Sequence, residues 1–179
     1  MIETERLLLR NWREDDKEPF HRLCNTPAVM RWLGGVKPRH EYDEVVDRLA
    51  GWQRSYGHTF WAAERKEDGA FLGFCGLKIA NGTGSPVLGE VEVGWRLRED
   101  CWGRGYAREA AAASLDFAFD RLAVRRVVAL TVEGNSASWG LMRRLGMRRR
   151  EDLDHVDPDW PAEMNPIIVY EIGNQEWRA

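Results

Sequence analysis

The sequence predicts a single α/β domain spanning residues 1–179. Apolar residues at helical spacing alternate along the chain with short runs of strand character, and a glycine-rich turn joins one strand to a helix. At 179 residues the chain is long enough to bury one core and short for two. Hydrophobic residues make up 44% and charged residues 31%, the balance of a globular chain rather than a disordered one.

A first strand is expected within Thr4 to Trp12, around Leu7-Leu8-Leu9. Asp15-Asp16 then supplies a cap and first-turn acids for a helix to about Cys24, which Asn25-Thr26-Pro27 ends. Gly34-Gly35 and Pro38 mark a loop. Tyr42, Val45, Val46, Leu49 and Trp52 share a helical face, so a helix from Arg39 should reach Tyr56 and stop at Gly57. Thr59 to Arg65 and Ala70 to Lys78 flank Lys66-Glu67-Asp68-Gly69 and read as a hairpin. Glu90 to Leu97 alternates, with Val91, Val93, Trp95 and Leu97 on one face and Glu90, Glu92 and Arg96 on the other. After Trp102-Gly103-Arg104-Gly105 a helix is expected from about Tyr106 to Leu122, with a face of small residues. Val127 to Val132 should be a buried strand. Asn135-Ser136 caps a short helix that Gly146 stops, Asp152 to Pro166 is an irregular loop, and Ile167 to Ile172 is a last strand.

Composition narrows the function. A net charge of -3 argues against a duplex nucleic-acid binder, which needs a positive field. No apolar run approaches the ~20 residues of a membrane span, so no membrane partner is expected. The acidic start, Met1 to Arg6, lacks an apolar signal core and suggests no export. Cys24, Cys75 and Cys101 are widely spaced, which fits a reducing cytoplasm. The histidines show no ligand spacing, and no metal site is expected. Nine tryptophans are assigned mostly to the core and its rim, with a substrate groove as the alternative for some.

The glycine-rich turn carries the most chemistry. Glycines let backbone amides approach a ligand closely, and a helix start adds unsatisfied donors and partial positive charge. Together they suit a pyrophosphate, with Arg104 and Arg108 placed to add charge-assisted contacts. The alternative is an ordinary tight connection. Neither a Walker loop nor the dinucleotide fingerprint is present.

Trp102-x-x-Gly105-x-Ala107 resembles the acetyl-coenzyme A motif of the GNAT superfamily, Gln/Arg-x-x-Gly-x-Gly/Ala, with Trp102 as the departure. The form Trp-Gly-Arg-Gly-Tyr-Ala followed by Glu109-Ala110 is similar to the branch of ribosomal-protein N-terminal acetyltransferases named RimJ and RimL. Further matches are Thr4-Glu5-Arg6-Leu7, Leu72 to Leu77, Asn135-x-x-Ser138, Leu145-Gly146-Met147 and Val169-Tyr170. The resemblance implies a mixed, mostly antiparallel sheet of six to seven strands flanked by helices. It also implies transfer of acetyl from acetyl-coenzyme A to an amine.

By that resemblance Gly94, Trp95, Arg96 and Leu97 border the cofactor arm, and Gly103, Arg104, Gly105, Tyr106, Ala107 and Arg108 hold the pyrophosphate. Glu92 is the candidate base; its alternative is a solvated strand acid paired with Arg96. Ser138 would protonate the thiolate and Asn135 hold the pantetheine amides, or the two are simply a capping pair. Met142 stands where many members have a tyrosine acid. Arg143, Arg144, Arg148, Arg149 and Arg150 form a basic run, in which Arg144 or Arg143 would meet the 3′-phosphate, or the run simply faces solvent at a helix end. Cys101 is discounted as an acyl carrier.

The acceptor stays open between a peptide N-terminus and a small amine. Acids on Arg39 to Tyr56 (Glu41, Asp43, Glu44, Asp47) and on the late loop (Asp152, Asp154, Asp157, Asp159) would favour a cation if they faced it; for the first set a solvated helix face is the favoured reading. A non-catalytic acyl-coenzyme A sensor is the competing class. A monomer or a homodimer is expected.

Overall fold

The computed structural model describes residues 1–178. In chain order the elements are β1 (Ile2–Glu3), β2 (Leu7–Arg10), α1 (Lys17–Cys24), α2 (Pro27–Met30), α3 (Arg39–Tyr56), β3 (Phe60–Arg65), β4 (Phe71–Ile79) and β5 (Val91–Leu97). They continue as α4 (Tyr106–Asp120), β6 (Arg126–Val132), α5 (Ser136–Arg144), β7 (Arg148–Arg149), β8 (Ile167–Gly173) and α6 (Asn174–Trp177). The strands form an eight-stranded sheet in the order β1-β2-β3-β4-β5-β6-β8-β7. The pairs β1–β2, β2–β3, β3–β4, β6–β8 and β7–β8 are antiparallel, and β5–β6 is parallel. The sheet is therefore mixed and mostly antiparallel, as expected. It has eight strands rather than six or seven, because β1 and β7 are two residues each and too short to leave a periodic signature.

The chain divides into two compact units. The first comprises Met1–Lys78 with Gly94–Ser114, the second Ile79–Val93 with the residues from Leu115 onward.

The first unit is built on an aromatic core. Trp12, Phe20, Tyr42, Phe60 and Phe74 are buried together, with Phe20 and Tyr42 rings 4.7 Å apart and Phe60 stacked on Phe74 at 5.1 Å. Such pairs add to the burial of apolar area. Helix α3 contributes Tyr42, Val46 and Leu49, a buried i, i+4, i+7 stripe. It ends where expected, with Gly57 at φ 74 donating its N–H to Gln53 O. The indole of Trp12 and the hydroxyl of Tyr42 are satisfied within the core: Trp12 Nε1 donates to Phe60 O at 2.6 Å and the Tyr42 hydroxyl to Cys24 O at 2.8 Å. Asp16, expected as a helix cap, is buried and holds Arg10 through two bonds of 2.7 and 2.8 Å. Gly73 has a structural reason: a Cβ there would lie 2.1 Å from Arg96 O, and its φ is +127.

The second unit centres on the β6–β8 ladder, which runs from Arg126↔Gly173 to Val132↔Ile167. Val128 and Val169 pack with Ala80 and Val87 beneath it. The stretch from Asp152 to Pro166 is ordered by Asn165, which accepts from Asp157 N–H and donates to the carbonyls of Asp157, Trp160 and Pro161. The Asn165–Pro166 peptide is cis.

The small-residue face of α4 is confirmed, since Ala110, Ala111, Ser114 and Ala118 are fully buried. Among the described residues no helix is long and apolar enough to cross a membrane.

Candidate active site

Gly103 and Gly105 hold φ of +73 and +83, and the chain from Trp102 through Gly105 is exposed. Apart from Gly103 and its two chain neighbours, no atom of the described residues lies within 4 Å of where a Gly103 Cβ would be. The loop leads straight into α4, whose first amides have no intrahelical acceptor. Arg104 and Arg108 are exposed, and among the described residues neither has an ion-pair partner. Tyr106 is buried and Ala107 half-buried, so they form the inner wall of the turn rather than its reaching groups. Trp102 departs from the family residue for a visible reason: its indole N–H donates to Leu97 O at 2.9 Å, tying the loop to the end of β5.

The first residues of the chain brace this loop. Glu109, in the first turn of α4, accepts from Thr4 Oγ1 at 2.6 Å, from Arg6 N at 2.8 Å and from Arg6 Nε at 2.6 Å. Arg6 Nη1 donates to Arg104 O at 3.1 Å, and its guanidinium sits 4.7 Å from the Tyr106 ring centroid. Burial works to raise the Glu109 pKa, but the bonds from Thr4 and Arg6 prevail and hold it below the usual value. Engaging a loop carbonyl from behind leaves its amides for a ligand. Thr4, Arg6 and Glu109 were not among the expected site residues, because the contact spans 103 positions. The available signal was the motif match at both ends.

On β5, Gly94 lies against Phe60, where a Cβ would meet the ring at 2.7 Å, Trp95 is half-buried and Leu97 is buried. Arg96 differs from its expected surroundings. It does not lie on a solvated face but turns inward over the Phe20, Tyr42 and Phe74 rings. Only its backbone is left to border a cofactor arm.

In the second unit Glu92 is half-buried and stands opposite Val128 in the parallel β5–β6 register. Asn135 is the N-cap of α5, its Oδ1 accepting from Ser138 N at 3.3 Å. The capping alternative is thus realised, and it leaves Asn135 Nδ2 and the Ser138 hydroxyl uncommitted among the described residues. Leu141, Met142 and Leu145 are buried and Ser138 half-buried, as the shared helical face requires. The basic run splits in two. Arg148, Arg149 and Arg150 pair with Glu171, Asp154 and Asp152, whereas Arg143 and Arg144 are exposed with no ion-pair partner among the described residues.

The acids that would draw a cation only if they faced the acceptor are largely paired with bases. Asp43 and Asp47 pair with Arg39 and Lys17, and Asp152 and Asp154 with Arg150 and Arg149. Asp157 is buried and Asp159 bonds Thr83. Cys101 is buried, and burial with the neighbouring Asp100 raises its pKa, so its thiolate is disfavoured. Of the tryptophans Trp12 and Trp61 are buried and Trp102 is exposed. Among the described residues no group of His, Cys, Asp and Glu could hold a metal ion.

A glycine turn opening a helix, with the exposed Arg104 and Arg108 beside it, suits a phosphate group. A family model of the acetyltransferase (GNAT) domain matches residues 6–148, and the chain belongs to that family. It is similar to the uncharacterized protein YkkB of Bacillus subtilis (strain 168), 34% identical over 172 residues, covering 94% of this chain and 92% of that one. It is also similar to the FsC-acetyl coenzyme A-N(2)-transacetylase of Aspergillus fumigatus, 26% identical over 98% of this chain and 77% of that one. Among solved structures, an acetyltransferase from Agrobacterium tumefaciens str. C58 matches with a TM-score of 0.77 and 28% identity, covering 96% and 92% of the two chains. The chain is accordingly an N-acetyltransferase.

Proposed function

We propose that the protein moves an acetyl group directly from acetyl-coenzyme A to a primary amine, either a peptide α-amine or the amine of a small molecule. The observation that carries this is the exposed Gly103–Gly105 turn at the start of α4, braced by Arg6 and Glu109 with its amides left for a ligand. These residues fit a pyrophosphate. Amides from Gly103 to Arg108 would hold it, with Arg104 and Arg108 adding charge. When bound, the thioester supplies the acetyl group.

The protein's own part is acid–base and positioning work. Glu92, directly or through a water, takes the proton from the acceptor ammonium. Amides at Gly94 and Trp95 polarise the acyl carbonyl. Ser138 hydrogen-bonds the departing sulfur and relays to it the proton that the attacking nitrogen loses, a role the Met142 thioether has no proton to fill. Asn135 Nδ2 reaches the pantetheine amides while its Oδ1 caps α5. Arg144 meets the 3′-phosphate, which its lack of an acidic partner favours. The motif from Trp102 to Ala107 and the Thr4-Glu5-Arg6-Leu7 segment support the RimJ/RimL-like branch. The family match crosses both compact units, which supports reading the chain as one domain.

Titrating acetyl-coenzyme A by calorimetry into the protein and its Gly105→Glu variant tests this. A residue with a side chain is strained at φ +83, its Cβ would lie 3.3 Å from Arg6 Nη2, and glutamate adds negative charge beside the proposed phosphate position. Micromolar binding by the wild type, abolished in a variant with the wild-type circular-dichroism spectrum, is the expected result. No binding by the folded wild type would overturn the reading.

A further inference from the structure

Arg96 has no part in the chemistry just proposed, yet it is an unusual residue to find inside a core. Its guanidinium lies 5.2 Å from the Phe74 ring centroid, 5.7 Å from Phe20 and 5.9 Å from Tyr42. Its Nε is shielded from solvent and has no hydrogen-bond acceptor. Among the described residues no carboxylate pairs with it. Its polar neighbours are the Tyr42 hydroxyl and the Cys24 thiol, and that thiol is pushed up to about 12 by burial and stays protonated.

Other enclosed arginines of this protein are treated differently. Arg10 is held by Asp16 and Glu64, and Arg149 by Asp154 and Glu133. A buried cation without a counter-ion is unfavourable, and ring faces recover only part of the lost hydration. Burial accordingly pulls the Arg96 pKa below the ordinary arginine value. The residue as a whole is half-buried, although its Nε is shielded.

A deep guanidinium with no carboxylate partner, walled by aromatic rings, has the makings of an anion site. The rings exclude water, and the planar fork matches the two oxygens of a carboxylate. Arg96 also shares its face of β5 with Glu92. We propose that Arg96 recognises a carboxylate on the acceptor, so that the enzyme's substrates are amines that also carry a carboxylate, such as amino acids and their relatives. The assignment of the occupant as acceptor rests on the transferase reading; the pocket itself does not.

The test is nuclear magnetic resonance of the arginine Nε–H groups in the full chain with coenzyme A added, using Arg96→Met to assign the Arg96 signal. Natural amino acids and their amides serve as matched probes. The carboxylate member of a pair should move the Arg96 signal and its amide should not. In turnover, kcat/KM should favour the carboxylate member by about tenfold to a hundredfold, the range of one charged hydrogen-bonded contact. In Arg96→Met that preference should collapse through KM. Should the methionine variant fail to fold, Arg96→Lys keeps the charge without the fork and should retain a weakened preference.

An Arg96 signal indifferent to every carboxylate while acetyl-coenzyme A still binds would overturn the proposal and spare the transferase reading. Equal response to acid and amide would overturn it too. Loss of acetyl-coenzyme A binding alone would remove the transferase reading, and the carboxylate response would still judge the pocket.

Discussion

Arg6 and Glu109 meet through two hydrogen bonds, one from the Arg6 backbone N–H at 2.8 Å and one from its Nε at 2.6 Å. A segment at the start of the chain therefore fixes the first turn of a helix that begins about a hundred residues later. The same guanidinium holds the Arg104 carbonyl. The anion loop is thus organised before any ligand arrives, which lowers the ordering cost of binding.

Glu109→Gln should weaken acetyl-coenzyme A binding by about threefold to tenfold, because the charged partner of Arg6 is lost and the loop loosens. The stability cost should be only about 0.5–1 kcal/mol, since the Arg6 side chain is 43% exposed and solvent screens the pair. The pH dependence has a definite sign. The folded Glu109 pKa lies below 4.5, so its contribution is present above about pH 4.5 and lost as pH falls through the folded value. Denaturant titrations of both proteins from pH 7 to 3 should therefore converge at the acid end. A constant gap would mean that Glu109 acts by packing alone.

Glu92→Gln should lower kcat by about a hundredfold or more near neutral pH, the usual contribution of a positioned general base. Acetyl-coenzyme A affinity should stay near wild type, because the substitution is nearly isosteric. Initial rates across a pH series, beside calorimetry, decide the matter. A variant with the wild-type rate profile would return Glu92 to the role of a strand acid.

Asn135 allows capping and cofactor contact to be separated. Asn135→Ala removes the Oδ1 that accepts from Ser138 N and should cost about 1 kcal/mol of stability. Asn135→Asp keeps the acceptor and should preserve stability, while replacing the Nδ2 donor with a charge that cannot bond a pantetheine carbonyl. If aspartate binds acetyl-coenzyme A as well as asparagine does, residue 135 is a cap and nothing more. Ser138→Ala in the same assays should keep cofactor affinity and lose kcat; unchanged kcat would pass the proton to solvent.

The elements visible in the sequence are those whose chemistry is local. Helix α3 keeps the predicted ends, Arg39 and Tyr56, because its apolar stripe and the glycine stop both lie within it. The glycine loop was legible for the same reason. Arg96 was not, since alternation places a residue on a face without saying whether α1 and α3 cover that face with rings such as Phe20 and Tyr42. The Glu109 contacts were equally hidden, because acid and base lie far apart in the chain. Arg143, Arg144 and Arg148 to Arg150 read as one basic run, yet the structure cancels the last three against acids from other segments.

Glu171 is the clearest case of such cancellation and gives the sharpest stability prediction. It is 4% exposed on β8 and accepts from Arg126, Arg148 and Arg150 at 3.2, 3.2 and 2.7 Å. Burial alone would raise its pKa, but the bonds from Arg150 and Arg148 outweigh that and lower it from 4.5. Removing the charge leaves three arginines facing a neutral centre, the costly way to break a buried pair. The arginines are 30% to 63% exposed and can regain water, so the loss should fall at or below the low end for buried pairs, about 2–3 kcal/mol for Glu171→Gln at pH 7. Because the folded pKa is depressed, the wild-type advantage is complete above about pH 4.5 and disappears as pH falls through the folded value. Parallel urea titrations should show the two curves merging in acid. Added salt should narrow the gap only slightly, since the carboxylate is shielded from solvent. A gap that persists in acid would show that shape, rather than charge, is what Glu171 contributes.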